Sequence, residues 1–359
     1  MLKKLDIYII KKFLGTFFFS LLLIIPVVVV FDLSEKMRDF IERKAPIQAI
    51  IVDYYFNFVP YLVNQFSPLF VFIAVIFFTS KMASNSEIVA ILSSGVSFKR
   101  LLRPYLLSAV LLAVLSFYLN NFLIPDANKV RLAFEEVYYR NKLRNDAHHI
   151  HLQINPTTYI YMTNYNVDLN MGINFSIETF ENGALKYKLL SDNVRWDSIK
   201  NTWEISNYVE RRINGINETI STGYKKDTIL NFSPDEFKRR DNFIETKNYF
   251  ELNQLIQEEK FKGSSYVIEC EIEKQERAAY PFATFVLTII GVSLSSRKVR
   301  GGIGLHIGLG LLISFSYILF MQVSYTFAKN SGVPAIIAVW MPNILYSILA
   351  MYLLKKAPK

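Results

Sequence analysis

Residues 105–131 read YLLSAVLLAVLSFYLNNFLIPDANKVR. Up to Ile124 the stretch carries no charge, and its 20 residues are the length an α-helix needs to cross a bilayer. From Asp126 charged residues return, and the sequence stays polar as far as Gln275. This change of character divides the chain. Working back from it, residues 13–31 and 54–79 are also free of charge, although Pro60, Asn64, Gln65 and Pro68 interrupt the second run. Working forward, residues 278–294, 303–328 and 333–354 are three more such runs. The expected fold is an α-helical polytopic membrane protein with six spans, three before and three after an inserted all-β domain. The expected segments are 1–124 for spans one to three, 125–275 for the insert with helical stalks, and 276–359 for spans four to six.

Lys3, Lys4, Lys11 and Lys12 precede the first run, as basic residues precede the core of a secretory leader. The run is too long for a leader, and no small-x-small cleavage pattern follows Phe31, so it reads as a retained span.

The distribution of charge gives the expected orientation. The chain has 40 Lys plus Arg against 31 Asp plus Glu, and the excess is not spread evenly. Lys3, Lys4, Lys11 and Lys12 in the N-terminal tail, Lys81, Lys99, Arg100 and Arg103 after the second run, Arg297, Lys298 and Arg300 after the fourth, and Lys355, Lys356 and Lys359 at the end stand against only Asp6 and Glu87. By the positive-inside rule these segments, both termini included, are cytoplasmic. The loop from Asp32 to Asp53 nearly balances its charges, and the insert has more acidic than basic residues. Both belong on the opposite side. A basic balance that reports topology gives no support to nucleic-acid binding, which needs the cations clustered on a soluble domain.

Cys270 is the sole cysteine, so no internal disulfide and no cysteine-based metal or redox motif exists. A large outer domain without disulfides suits a bacterial periplasm better than an animal extracellular space.

Within the insert, residues 158–163, 174–180, 185–196, 202–213 and 218–224 alternate apolar and polar side chains, with a Glu181-Asn182-Gly183 turn among them. Such spacing predicts an antiparallel sandwich or barrel. Residues 126–144 and 249–260 read as helical flanks. An apolar groove for a lipid chain and an ordinary packed core require the same inward-facing residues. His148, His149 and His151 invite a metal reading, but no further ligand cluster accompanies them, and no metal site is expected.

The sharpest local feature is the loop after the second run. Ser84-Asn85-Ser86-Glu87 has the form of a helix start. Ile88, Val89, Ile91 and Leu92 supply an apolar face, and Gly95 stops the helix. The reading is a short amphipathic helix over about residues 84–95 on the cytoplasmic face. It either rests on lipid or docks a protein; Glu87, the one acidic residue there, disfavours anionic lipid.

Other chemistry is missing. There is no Gly-x-x-x-x-Gly-Lys-Ser/Thr phosphate loop, no nucleophile elbow and no His-Glu-x-x-His helix. The apolar runs hold one ionisable residue, His306, which counts against an intramembrane protease or a proton-coupled carrier. Gly304 and Gly308, four apart, favour close helix packing.

Several motifs then converge. They are Leu5-Asp6-Ile7-Tyr8-Ile9-Ile10-Lys11, the Pro60 and Pro68 pair, Ser86-Glu87-Ile88-Val89 with Ser94-Gly95-Val96, Tyr280-Pro281-Phe282, Gly332-Val333-Pro334 and Trp340-Met341-Pro342. As a set covering almost the whole chain, they resemble the LptF/LptG permeases of the lipopolysaccharide-export ABC transporter.

The resemblance implies a permease subunit without its own ATPase site. It would extract lipopolysaccharide from the bacterial inner membrane and pass it toward the outer membrane. It implies a periplasmic β-jellyroll, a second LptF/LptG-type subunit, and a cytoplasmic LptB-like ATPase dimer that binds ATP and Mg. A single-span LptC-like jellyroll protein and an LptA-like periplasmic bridge complete the partners, with membrane lipids around the spans. No cofactor is expected in the chain itself. Ser86, Glu87, Ile88, Val89, Leu92 and Gly95 would form the helix that couples to the ATPase. Spans one and five would line the lipid cavity and its lateral gates, with Phe17, Leu21, Gly304, Gly308 and Phe315 as candidates. Lys36, Arg38, Arg43 and Lys44 would contact lipid phosphates, diluted by Glu35, Asp39 and Glu42. The alternatives are a permease of a different lipid-exporting or mechanotransmitting ABC system, and a membrane-anchored β-domain scaffold.

Overall fold

The computed structural model describes residues 3–139, 148–230, 232–237, 241–264, 266–297 and 302–357. Lys298, Arg300 and Lys359, counted above toward the cytoplasmic face, lie outside them, as does the expected helix end at Arg144.

Among the described residues, six helices are long and apolar enough to cross a membrane. They are α1 (Lys4–Glu42), α2 (Ile47–Ser84), α4 (Phe98–Tyr138), α6 (Tyr266–Ser295), α7 (Gly302–Asn330) and α8 (Ala335–Lys356). A short helix α3 (Glu87–Ser93) joins α2 to α4, and α5 (Tyr249–Phe261) follows the strands. The first five spans overrun their charge-free runs at both ends, because helical hydrogen bonding continues into the flanking residues where water serves exposed side chains, whereas α8 begins only after Pro334, inside its run. Two spans pass through one turn of π-helix, at Ile50–Tyr55 in α2 and Leu119–Leu123 in α4. Prolines at positions 26, 60, 68, 104, 281 and 342 are all accepted within helices, as neighbouring helices in a membrane can satisfy the freed carbonyls.

The chain divides into two compact units, one of residues 1–140, 245–249 and 271–359, the other of 141–244 and 250–270. In the first, α2 is central. On one side Val71, Val75, Phe78 and Met82 pack against Ile9, Phe13, Phe17 and Leu21 of α1 and against Leu101 and Tyr105 of α4. On the other, Phe72 and Ile76 meet Ala283, Leu287 and Ile290 of α6 with Tyr317 and Met321 of α7. At Gly310 α7 packs tightly against α2, since a Cβ there would stand 2.3 Å from Ile76. At Gly304 and Gly308 nothing in the chain stands within 4 Å of such a Cβ, so the close packing expected at that pair occurs two residues further along. Polar ties add to the packing: Tyr317 donates to Asn343, and Asn343 donates to the Ala279 carbonyl, which links α7, α8 and α6.

In the second unit six strands form one antiparallel sheet in simple meander order. They are β1 (His148–Asn155), β2 (Thr158–Asn166), β3 (Met171–Glu181), β4 (Ala184–Asp197), β5 (Thr202–Asn214) and β6 (Asn217–Thr228). Asn182 and Gly183, both at positive φ, make the tight turn between β3 and β4. The sandwich or barrel expected from alternation resolves, among the described residues, into a single antiparallel sheet. Its apolar face, with Ile160, Met162, Phe175, Ile177, Leu189 and Trp203, is covered by Phe232 and Phe237 from the segment after β6. Trp203 donates its indole N–H to the Phe232 carbonyl at 3.0 Å, which holds that cover in place. Alternation specifies that one face is buried, and is silent on what buries it.

Candidate functional site

Helix α3 is framed by two left-handed residues, Ser86 (φ 62°) before it and Gly95 (φ 88°) after it. Serine tolerates that conformation poorly and glycine freely. Ser86 therefore does not cap with its side chain; Asn85 instead donates to Glu87 at 3.3 Å. Ile88 is 1% exposed, and Ile91 and Leu92 pack beside it onto the core formed by α1, α2 and α4. Val89, grouped with them in the sequence, lies one residue and about 100° round the helix and is 58% exposed. Helix α3 thus presents Val89, Ala90 and Ser93 outward on a buried base.

Two polar links tie the start of α1 to this region. Tyr8 donates its hydroxyl to Glu87 at 3.0 Å. Arg100, in the first turn of α4, grips both carboxylate oxygens of Asp6, each at 2.7 Å. Neither was visible in the sequence, because the partners are 79 and 94 residues apart.

At the far end of α1 the four candidate cations occupy different surroundings. Lys36 is 12% exposed, paired with Asp32 at 2.6 Å and hydrogen-bonded to Tyr54. Arg38 is 86% exposed and pairs with Glu42 one turn on. Arg43 reaches toward the Val137 carbonyl at 3.5 Å. Lys44 is exposed, in the left-handed turn that ends α1.

Of the candidate gate residues, Phe17 and Leu21 are packed into the chain's own core, whereas Phe18, Phe19, Leu22 and Leu23 on the same helix are exposed. On α7, Phe315 is 56% exposed, in line with Leu312 and Leu319. In its most apolar window, α1 buries 17% and α7 and α8 28% each, against 61% for α2 and 67% for α6. Helices α1 and α7 keep open apolar faces, as does α8.

Between α2, α4, α6 and α7 lies a cavity of about 410 Å³. The π turn at Leu119–Leu123 brings Asn120 to Asn64, which donates to it at 2.5 Å, and Ser116 donates to Asn64 in turn. Glu273, Glu276, Arg277, Tyr280, Tyr61 and Glu245 line the rest. Arg277 is buried, bonded to Glu273 at 2.8 Å and to the Lys247 carbonyl at 2.7 Å. Arg131 lies over the Tyr61 ring at 4.7 Å and reaches Glu245 at 3.3 Å. Glu273, Glu276 and Arg277 carry no signal in the charge-free run because they precede Ala278, where it begins, although the spanning helix starts at Tyr266. His149 and His151 both meet Tyr161, the first as a hydrogen bond of 2.9 Å and the second as a ring contact.

The family model of the lipopolysaccharide export system permease LptF/LptG matches residues 7–356 of the chain. No curated protein matches it.

Proposed function

The chain belongs to the LptF/LptG family of lipopolysaccharide export system permeases, and from that membership we propose that it works as one half of an ATP-driven lipid extractor. As a member with six spanning helices it is a multi-pass inner-membrane transport subunit and not an ATPase. In the proposed assembly it faces a second LptF/LptG-type subunit, and an LptB-like ATPase dimer docks on α3 of each. Lipopolysaccharide rises from between them to the β-domains, then to LptC-like and LptA-like jellyroll proteins. Both termini lie in the cytoplasm and the sheet in the periplasm.

The observation that carries this reading is the build of α3. Its base is anchored by Ile88, Ile91 and Leu92, while Val89 stands 58% exposed with Glu87 beside it. An apolar side chain and a carboxylate on a firmly seated helix suit a protein groove better than an anionic lipid surface. Open apolar faces on α1 and α7 support the lipid-lining role, with Phe18, Leu22 and Phe315 offered outward. For the phosphates, Arg38 and Lys44 are the accessible cations.

In the proposed cycle, closure of the ATPase dimer presses both α3 helices inward. The space between facing α1 and α7 helices narrows, and the lipid is expelled outward. No bond in the lipid changes. The test is purification of the tagged chain from its native membrane, with subunits and lipid identified by mass spectrometry. A second permease subunit, an ATPase and lipopolysaccharide are expected together. A different lipid would overturn the cargo, and no ATPase would overturn the coupling role. Glu87→Arg should separate ATP hydrolysis from export; wild-type rates of both would remove α3 from the mechanism.

A further inference from the structure

Helix α3 is joined by the chain to α2 and α4, so displacement of α3 reaches those two spans through the backbone. Helix α1, whose apolar face is open, has no such connection to α3. It is tied instead by the two polar links at its start. Asp6 is buried, with 4% of its side chain exposed, and it also accepts the backbone N–H of Lys3 at 2.8 Å. Arg100 sits in the first turn of α4, where the helix dipole disfavours a cation. Its two bonds to Asp6 compensate for that placement, and the bidentate geometry fixes direction as well as distance. Tyr8, half a turn further along α1, holds one oxygen of Glu87 while Asn85 holds the other. Beneath the links, Ile9 and Phe13 of α1 are fully buried in the same core as Ile88, Phe98 and Leu101.

We infer that Asp6, Tyr8 and Arg100 form a clamp that makes α1 move with the α3–α4 corner, and that they are positioning residues for energy coupling. This rests on the permease reading above. The clamp transmits the push on α3 to α1 without passing through α2. Tyr8 also orients the Glu87 carboxylate for its partner. Pro26, inside α1, marks where the helix can flex, since it lacks the N–H that would bond the carbonyl one turn back.

The experiment uses the full complex, reconstituted with its ATPase and second permease subunit in liposomes. Lipid exported per ATP hydrolysed is measured for wild type, Asp6→Arg, Arg100→Asp, the double swap and Tyr8→Phe. Each single charge reversal should lower that ratio about tenfold while ATP hydrolysis stays within about twofold, and the swap should restore most of it. Tyr8→Phe removes one hydroxyl without changing the packing, and should lower the ratio about threefold. A purely structural pair would instead lower assembly, leaving the ratio of the assembled fraction unchanged. Wild-type ratios in the single variants, or a swap no better than they are, overturn the clamp. Should the charge reversals fail to assemble, Tyr8→Phe decides: a wild-type ratio there overturns the clamp as well. A wild-type complex that hydrolyses ATP without exporting lipid overturns the permease reading, a result distinct from any of these.

Discussion

Lys36 Nζ lies 2.6 Å from Asp32 Oδ1, one turn back on α1, beneath the rings of Tyr54, Phe58 and Tyr139 at 4.8, 5.4 and 4.9 Å. Phe40 and Phe134 pack onto the same Tyr54. The ammonium is thereby enclosed by aromatic faces and a carboxylate, and it fastens the end of α1 to α2 and to the residue just past α4. Lys36→Met leaves Asp32 without its cation, and should cost about 3 kcal/mol of stability. Arg38→Ala, on a side chain 86% exposed, should change stability by less than about 0.5 kcal/mol. Thermal unfolding of the two variants in detergent checks the contrast; equal midpoints would show that the cage contributes nothing.

The same contrast separates the candidate lipid ligands. Photocrosslinkers at Arg38 and Lys44 should capture lipopolysaccharide, and one at Lys36 should capture protein, from α2 or the end of α4. Lipid captured from Lys36 and none from Arg38 would reverse the assignment.

Val89→Asp tests the outward face of α3. Because Val89 is exposed, the variant should fold and insert like wild type, yet lose co-purification of the ATPase. Burial of a valine side chain contributes about 1.5–3 kcal/mol, so affinity should fall at least tenfold. Ile88→Asp should instead destabilise the α3 corner itself, because Ile88 is buried in the core. Retained ATPase binding by Val89→Asp would place the partner elsewhere.

How far the sequence announced all this follows from what each signal encodes. The absence of charge over residues 13–31 and 105–124 states a solvent preference, so the spans were legible. Alternation in residues 185–196 states a buried face, so the strands were legible as well. Neither signal names a partner: the cover supplied by Phe232 and Phe237, and the α2 contact at Gly310, depend on tertiary placement. Glu273 falls within the expected insert, and Glu276 and Arg277 between it and the charge-free run, because hydropathy changes at Ala278, whereas the helix runs on unbroken from Tyr266. In α3 only helical phase separates Val89 from Ile88, and a seven-residue helix has little periodicity to read.

In the sheet, Glu210 lies at the edge of the covered face, ion-paired to Lys226 and 3.7 Å from Arg212. Burial works against its charge, but Lys226, with help from Tyr187 and Arg212, holds its carboxyl below the ordinary value of 4.5. A lowered folded-state pKa means that the unfolded chain binds the proton more readily. The stabilisation is therefore complete above the ordinary value and is lost as pH falls through the lower, folded one. Tryptophan fluorescence from Trp196 and Trp203 should report acid unfolding of the sheet. Glu210→Gln should be less stable at neutral pH and lose less stability on acidification. An unchanged acid profile would exclude Glu210 from it.

Arg277 makes the strongest case for how the chain returning from the strands is fastened to the spans. Its guanidinium is 5% exposed and bonds Glu273 on its own helix and the Lys247 carbonyl. Arg131, 6% exposed on α4, reaches Glu245 two residues earlier. Two arginines from different spans thus grip residues 245–247, where the short 3-10 helix of Asp241–Thr246 ends. Arg277→Ala removes the donor to a carbonyl and leaves Glu273 without its cation, a loss of about 3 kcal/mol for groups so buried. Arg277→Lys keeps the charge but cannot serve both acceptors with one fork. Backbone hydrogen exchange in residues 245–249 should accelerate at least tenfold in both variants, more in alanine, while exchange around Asp6 and Arg100 stays unchanged. Acceleration throughout the spans would mean that Arg277 supports the whole bundle, and none at 245–249 would mean that Arg131 suffices alone.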